Sequence, residues 1–216
     1  MSTDFLTIDE SAIPEGGNNF GPLDEGSYNA TCVAMLSGTG TKYKSDEPEK
    51  KIRFVFAIEE EDEQGAIQTH FVRSNWMRIS LWDGEPNPSA LWNLLRAWTK
   101  QKSADELIQK MGKFDIKFFI GKPINLVLKH NKDGKHNVIS DYITPKKGQV
   151  VIGSCEIPEF HVSADKQVQS DIKFIMMDGC TIKPSKKKTT KQTSVKDDDV
   201  TAVPDEGTDG SNGLPF

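Results

Sequence analysis

Residues 51–82, KIRFVFAIEEEDEQGAIQTHFVRSNWMRISLW, decide the fold. Two runs alternate with a period of two around a short acidic turn, the pattern of an antiparallel hairpin. In the first run Ile52, Phe54, Phe56 and Ile58 face one way, and Lys51, Arg53, Val55 and Ala57 the other. The first set is expected to fill a core and the second to lie on an open face. In the second run Phe71, Met77 and Ile79 share one parity, and His70, Val72, Ser74, Trp76, Arg78 and Ser80 the other. A strand this long seldom keeps one register, so a bulge is expected at residues 73–75. Arginines interleaved with an aromatic on a sheet face suit a ligand that has both phosphates and flat bases. The same residue types also serve as ordinary solvent-facing or packing groups.

Upstream, residues 1–25 are polar and rich in Gly and Asn, and read as a flexible arm in which Phe5, Leu6 and Ile8 are the docking candidates. Residues 27–37 read as a strand with Tyr28, Ala30, Cys32, Ala34 and Leu36 on one side. Residues 38–50 read as a loop. Its glycines complete neither G-x-x-x-x-G-K-[ST] nor G-x-G-x-x-G. Within it Lys42-Tyr43-Lys44 sets an aromatic between two cations, which suits stacking on a base with phosphate pairing. A solvated turn with Tyr43 packed down is the other reading.

Downstream, Asn87 or Ser89 is placed to cap a helix over residues 89–100. Its apolar side chains Leu91, Leu94, Leu95 and Trp98 recur on one face. Trp92 and Trp98 read as packing residues. A second short helix is expected over 104–111. Strands over 122–130 and 135–143 flank Asn-Lys-Asp-Gly, and Asp133-Gly134 signals a tight hairpin turn. Lys129, His130, Lys132 and Lys135 cluster at that tip, with His136 behind. Residues 149–153 and 172–177 read as short strands without visible partners.

Composition sets limits on function. The 216 residues carry a net charge of −5, with 36% hydrophobic residues and a mean hydropathy of −0.53. That is enough apolar content for a core, yet polar enough to expect an unstructured portion. No apolar run is long enough to span a membrane, and the acidic start MSTDFLTIDES does not read as a signal peptide. Cys32, Cys155 and Cys180 are odd in number and far apart, so neither a disulfide framework nor a C-x-x-C site is expected, which points to a reducing cytoplasm. The charge is segregated. Residues 197–216 hold six acids and no Lys or Arg, so the rest of the chain carries 27 basic against 26 acidic groups. From residue 183 on, a basic stretch precedes the acidic one, and few large apolar groups remain to support a fold.

The chain order is strand, strand, strand, helix, strand, strand. We read it as mainly β, a five-stranded OB barrel with a helix between strands three and four. The expected organisation is an arm over 1–25, an OB domain with extra β elements over 26–183, and a disordered tail over 184–216. In that fold ligands lie on strands two and three between two flanking loops. Lys42, Tyr43, Lys44, Arg53, Arg73, Trp76, Arg78, Lys129, Lys132 and Lys135 would then line one groove.

The sequence also resembles a known family. The tail, with Asp197, Asp198 and Asp199 upstream and Leu214-Pro215-Phe216 last, resembles the tails of single-stranded DNA-binding proteins of bacteria and their phages. The segments GSYNATCVAML, GTKY, KIRFVFAI and GKPINLVL are similar to phage-encoded OB proteins of this class over about residues 26–145. The acids sit further from the end than in the bacterial pattern. The resemblance implies sequence-independent binding of single-stranded DNA in the cytoplasm, that of a bacterial host if the chain is phage-encoded. It also implies recruitment of replication, recombination and repair proteins by Asp197–Asp199, Leu214, Pro215 and Phe216. A monomer or homodimer is expected, with no cofactor, no metal and no membrane partner. The histidines His70, His130, His136 and His161 show no H-E-x-x-H spacing and there is no G-x-S-x-G elbow, so an enzyme is not expected. An OB-type protein adaptor and a strand-annealing or recombination mediator are the alternatives.

If the acidic tail competes with DNA for a basic groove, deleting residues 197–216 is expected to tighten single-strand binding at low salt. Unchanged affinity in a fluorescence anisotropy titration counts against that competition.

Overall fold

The computed structural model describes residues 22–42, 44–163 and 165–184. Tyr43, the arm before Pro22, and the tail residues Asp197, Asp198, Asp199, Leu214, Pro215 and Phe216 lie outside them. The described chain is mainly β. Strands β1 (Gly26–Thr41), β2 (Pro48–Glu61), β3 (Ile67–Arg73) and β4 (Met77–Arg78) are followed by helices α1 (Ala90–Thr99) and α2 (Ala104–Met111). Then come β5 (Pro123–His130), β6 (Asn137–Ile143), β7 (Glu156–Pro158), β8 (Ser170–Met176) and β9 (Thr181–Lys183). The main sheet runs β3-β2-β1-β5-β6, with β4 added on β2 and β8 on β1, while β7 and β9 form a separate parallel pair. β3 and β6 touch at the two ends of the path. They form no ladder, so the expected closed barrel is not formed. Tyr142 of β6 packs across the core against Phe56 of β2, with 6.3 Å between ring centres.

The alternation of β2 is realised as written. Ile52, Phe54, Phe56 and Ile58 are buried in the larger core with Ala30, Cys32, Met35, Leu126 and the α1 residues Leu91, Trp92, Leu94 and Leu95. α1 forms where expected because Ser89 accepts a hydrogen bond from Trp92 N–H at its start, as capping serines do. Trp98 completes this layer, stacked 4.6 Å from Phe119 and donating Nε1–H to Pro123 O at 2.9 Å. The second helix, α2, also forms over the expected residues, with Ser103 accepting Glu106 N–H at its start.

β1 departs from the simple alternation. Its register against β2 shifts between Cys32 and Ala34, so one extra residue flips every later side chain to the opposite face. Cys32 joins the larger core, but Ala34 and Leu36 face away from it, into a second cluster with Val33, Val55, Ala57, Ile152, Ile157 and Cys180. β1 also runs four residues beyond the expected end, since Gly38–Thr41 pair with Pro48–Lys51 of β2 in place of a loop.

The second cluster overturns one expectation. The face of Arg53, Val55 and Ala57 is not open: all three are buried, covered by residues from 149–183. Residues 149–153 form no strand. Instead Ile152 N–H donates to Thr31 Oγ1, and Gln149 Nε2 donates to Ala30 O and Ile124 O. β8 forms where a strand was expected over 172–177, and its partner is the outer half of β1.

The irregularity expected at residues 73–75 is a break between β3 and β4. Before it Arg73 lies opposite Val55; after it Met77 lies opposite Ile52. Ser74 bridges the break twice, donating its N–H to Phe54 O at 2.9 Å and accepting Phe54 N–H on Oγ at 3.0 Å. No helix among the described residues is long and apolar enough to cross a membrane.

Ser74→Ala leaves the buried Phe54 N–H without an acceptor. The variant is expected to lose about 1–3 kcal/mol of stability in urea unfolding. A loss close to zero would show that Phe54 N–H finds another partner.

Candidate nucleic-acid interface

The break after Arg73 turns Trp76 onto the same side of the sheet as Arg53. The Arg53 guanidinium lies 4.6 Å from the Trp76 ring centre, a cation–π contact. Arg73, two residues along the ladder, donates Nη1–H to Phe160 O at 3.1 Å and lies 5.8 Å from the Phe160 ring centre. Three of the expected site residues, Arg53, Arg73 and Trp76, therefore sit together on the β2–β3 face.

They do not form an open groove: Arg73 is exposed and Trp76 half-buried, but Arg53 is buried. Asp165 reaches into the cluster. Its Oδ2 accepts from Arg53 Nη2 at 2.8 Å, and its Oδ1 accepts Trp76 Nε1–H and Gln167 N–H, each at 2.9 Å. Arg53 is only 5% exposed. Its Nε and Nη1 are buried without a hydrogen-bond partner among the described residues. Each such orphaned donor costs about 1–3 kcal/mol, and more beside a charge. A buried ion pair gains little net stability against its desolvation. This arrangement is therefore poorly explained as a stabilising bridge.

The electrostatics follow from the geometry. Burial lowers the Arg53 pKa and Asp165 opposes that shift. Burial raises the Asp165 carboxyl, but the Gln167 N–H bond, the Arg53 charge and the Trp76 N–H more than offset it, so it titrates below the usual carboxylate range. Both groups are charged at neutral pH. His161, buried beside Phe160 with 3.8 Å between ring centres, is pushed down to about 3 by burial and by the charges of Arg73 and Arg53. Its Nδ1 has no partner among the described residues.

The remaining candidates lie elsewhere. Lys42 pairs with Glu47 at 3.1 Å across the β1–β2 turn, and Lys44 is exposed in that turn with φ 59°. Arg78, exposed, binds Glu49 through Nε and lies opposite Lys51 on β2. Lys129, Lys132 and Lys135 are exposed around the β5–β6 turn, which Asn131 closes by accepting Lys135 N–H and His136 N–H on Oδ1. By register that turn lies at the start of β1, where Gly26 faces Leu128, and the β1–β2 turn lies at its end. His130 is engaged with the entry segment, its N–H on Glu25 Oε1 and its ring Nε2 against Leu23 O.

Asp165, Phe160 and His161 were missed by sequence reasoning. They stand in a polar stretch without alternation, and the isolated Phe-His pair is the only signal there. Among the described residues no cluster of three or more His, Cys, Asp or Glu is arranged to hold a metal ion. No family model, curated protein or solved structure matches this chain.

His161 is neutral in the fold down to about pH 3 and protonates in the unfolded chain near 6.5. Its folded-state pKa is depressed, so its contribution is complete above 6.5 and is lost as pH falls from there toward 3. His161→Gln is expected to flatten the stability–pH curve through that window in urea unfolding. An unchanged slope would assign the acid sensitivity to carboxylates.

Proposed function

We propose that this chain is a sequence-independent single-stranded DNA-binding protein of the bacterial and phage type, built on an OB-like β framework. The observation that carries it is the cluster of Arg53, Trp76 and Arg73 on the β2–β3 face. Two guanidinium groups and an indole on one sheet face suit a polymer of phosphates and bases. The framework supports the same reading. With β3 and β4 taken as one broken strand, the order strand, strand, strand, helices, strand, strand is that of the OB barrel, whose ligands lie on strands two and three. The touching edges β3 and β6 stand where such a barrel would close.

Binding rests on phosphate neutralisation by Lys and Arg with release of counterions, and on base stacking at about 1–3 kcal/mol per base. Exposed Lys42, Lys44, Arg78, Lys129, Lys132 and Lys135 extend the electrostatic track. Asp197–Asp199 and Leu214, Pro215 and Phe216 recruit replication or recombination proteins, with the apolar terminus burying in a partner pocket and the acids adding screened long-range attraction. The burial of Arg53 under residues from 149–183 favours a second reading, a protein-binding adaptor on the same framework.

Anisotropy of labelled oligo-dT across a salt series separates the two. Single-strand affinity is expected to fall steeply with salt, the logarithmic slope being about −0.7 per phosphate contacted, and a matched duplex to bind far more weakly. Absence of oligo-dT binding at low salt, with residues 197–216 present or removed, would overturn the DNA reading and leave the adaptor.

A further inference from the structure

Residues 165–169 cross the Arg53–Trp76 face as a short strap. Val168 N–H returns to Asp165 O at 3.1 Å, and Gln169 N–H donates to Thr39 O at 3.0 Å. Val168 is buried. The strap lies so close to β1 because β1 has glycines there. A Cβ on Gly38 would meet Val168 Cγ1 at 2.3 Å, and one on Gly40 would meet the Gln167 carbonyl oxygen at 1.9 Å. Neither glycine has a positive φ, so close approach of the strap, not backbone conformation, is what requires them.

We propose that Asp165 is an internal stand-in for a phosphodiester, and that Arg53 and Trp76 form a phosphate site which a single-stranded polynucleotide enters by displacing residues 165–169. The inference rests on the DNA-binding reading and adds how the site is held closed. The carboxylate collects N–H donors from three places: Arg53 on β2, Trp76 after β3, and Gln167 in its own strap. That is how an anion is bound, and the anion is covalently part of the protein. It is an incomplete fit. Asp165 engages only Nη2 of Arg53, because its other oxygen is turned to the indole and the strap amide. Nε and Nη1 are left buried and unpartnered. A guanidinium is built for forked pairing with two oxygens of one group. A phosphodiester has two non-bridging oxygens and can pair with Nη2 together with Nε or Nη1. Arg73, whose charge also acts on Arg53, adds attraction for the next phosphate. The Asp165 side chain is one-third exposed, so it has a route to solvent when displaced.

Two substitutions open the strap by different means. Asp165→Asn removes its charge. Gly40→Ala changes no charge and sets a methyl against the Gln167 carbonyl. It therefore separates strap opening from the general benefit of removing a negative charge near a polyanion. Both are made in the full chain and titrated with labelled oligo-dT at one low salt concentration, with hydrogen exchange of the Gln169 amide followed with and without oligo-dT. Both variants are expected to bind at least about fivefold tighter than the parent, a difference beyond one rim charge. Arg53→Gln in the Gly40→Ala background should abolish the gain, and oligo-dT should speed exchange at Gln169 in the parent.

If the parent binds oligo-dT, both variants match it and Gln169 exchange is unmoved, the strap is a fixed part of the fold and the proposal is overturned while the DNA reading stands. If no form binds oligo-dT, a pyrophosphate titration decides. Binding to Gly40→Ala that Arg53→Gln removes upholds the anion site and overturns the DNA reading. No binding of either probe overturns both.

Discussion

Strand β1 hydrogen-bonds to β2, β5 and β8, and the register shift between Cys32 and Ala34 lets it serve two cores. Before the shift its alternate residues Ala30 and Cys32 pack under α1 with the phenylalanines of β2. After it Ala34 and Leu36 turn to the opposite face. Without the extra residue, a strand of this length would commit one parity to the larger core throughout. The second cluster would lose Ala34 and Leu36, which would face the larger core instead.

The covering segment then determines the electrostatics. A guanidinium on a solvent-facing strand is well hydrated and costs nothing to keep. Arg53 has lost that hydration, holds one ion pair, and retains two nitrogens without partners. Its neighbour His161 is held neutral by burial and by the two arginines. A face that concentrates positive charge under a removable carboxylate is suited to exchanging one anion for another. A face designed only for stability would more readily use apolar residues of the same volume.

Small residues set the spacing that makes this possible. Gly38 and Gly40 let the backbone of residues 167–170 approach β1 more closely than any side chain would permit, and Ser74 repairs the ladder where β3 breaks so that Trp76 can turn toward Arg53. The cation–aromatic pair depends on local backbone features in two different strands. Neither strand alone contains the site.

The sequence by itself determined the β elements of residues 26–143, the position and cap of α1, the burial of Ile52, Phe54, Phe56 and Ile58, and the irregularity near residue 74. Each follows from a local period, a capping side chain or a turn dipeptide, all of which act over a few residues. It also named Arg53, Arg73 and Trp76 as lining one groove, but together with Arg78 and the lysines of two turns, and it set Trp76 on the parity opposite to Phe71. The register change after Arg73 is what brings Trp76 to Arg53. Only the tertiary structure decided that this face is covered, that Ala34 and Leu36 point away from Cys32, and that Asp165 closes the site. Alternation tells two faces apart but says nothing of what packs on either. Of the residues that do the packing, Ile152 ends a Val-Val-Ile run, whereas Ile157, Val168 and Cys180 stand singly in a polar stretch with no period to mark them, and Ile152 and Val168 meet β1 residues more than a hundred positions away.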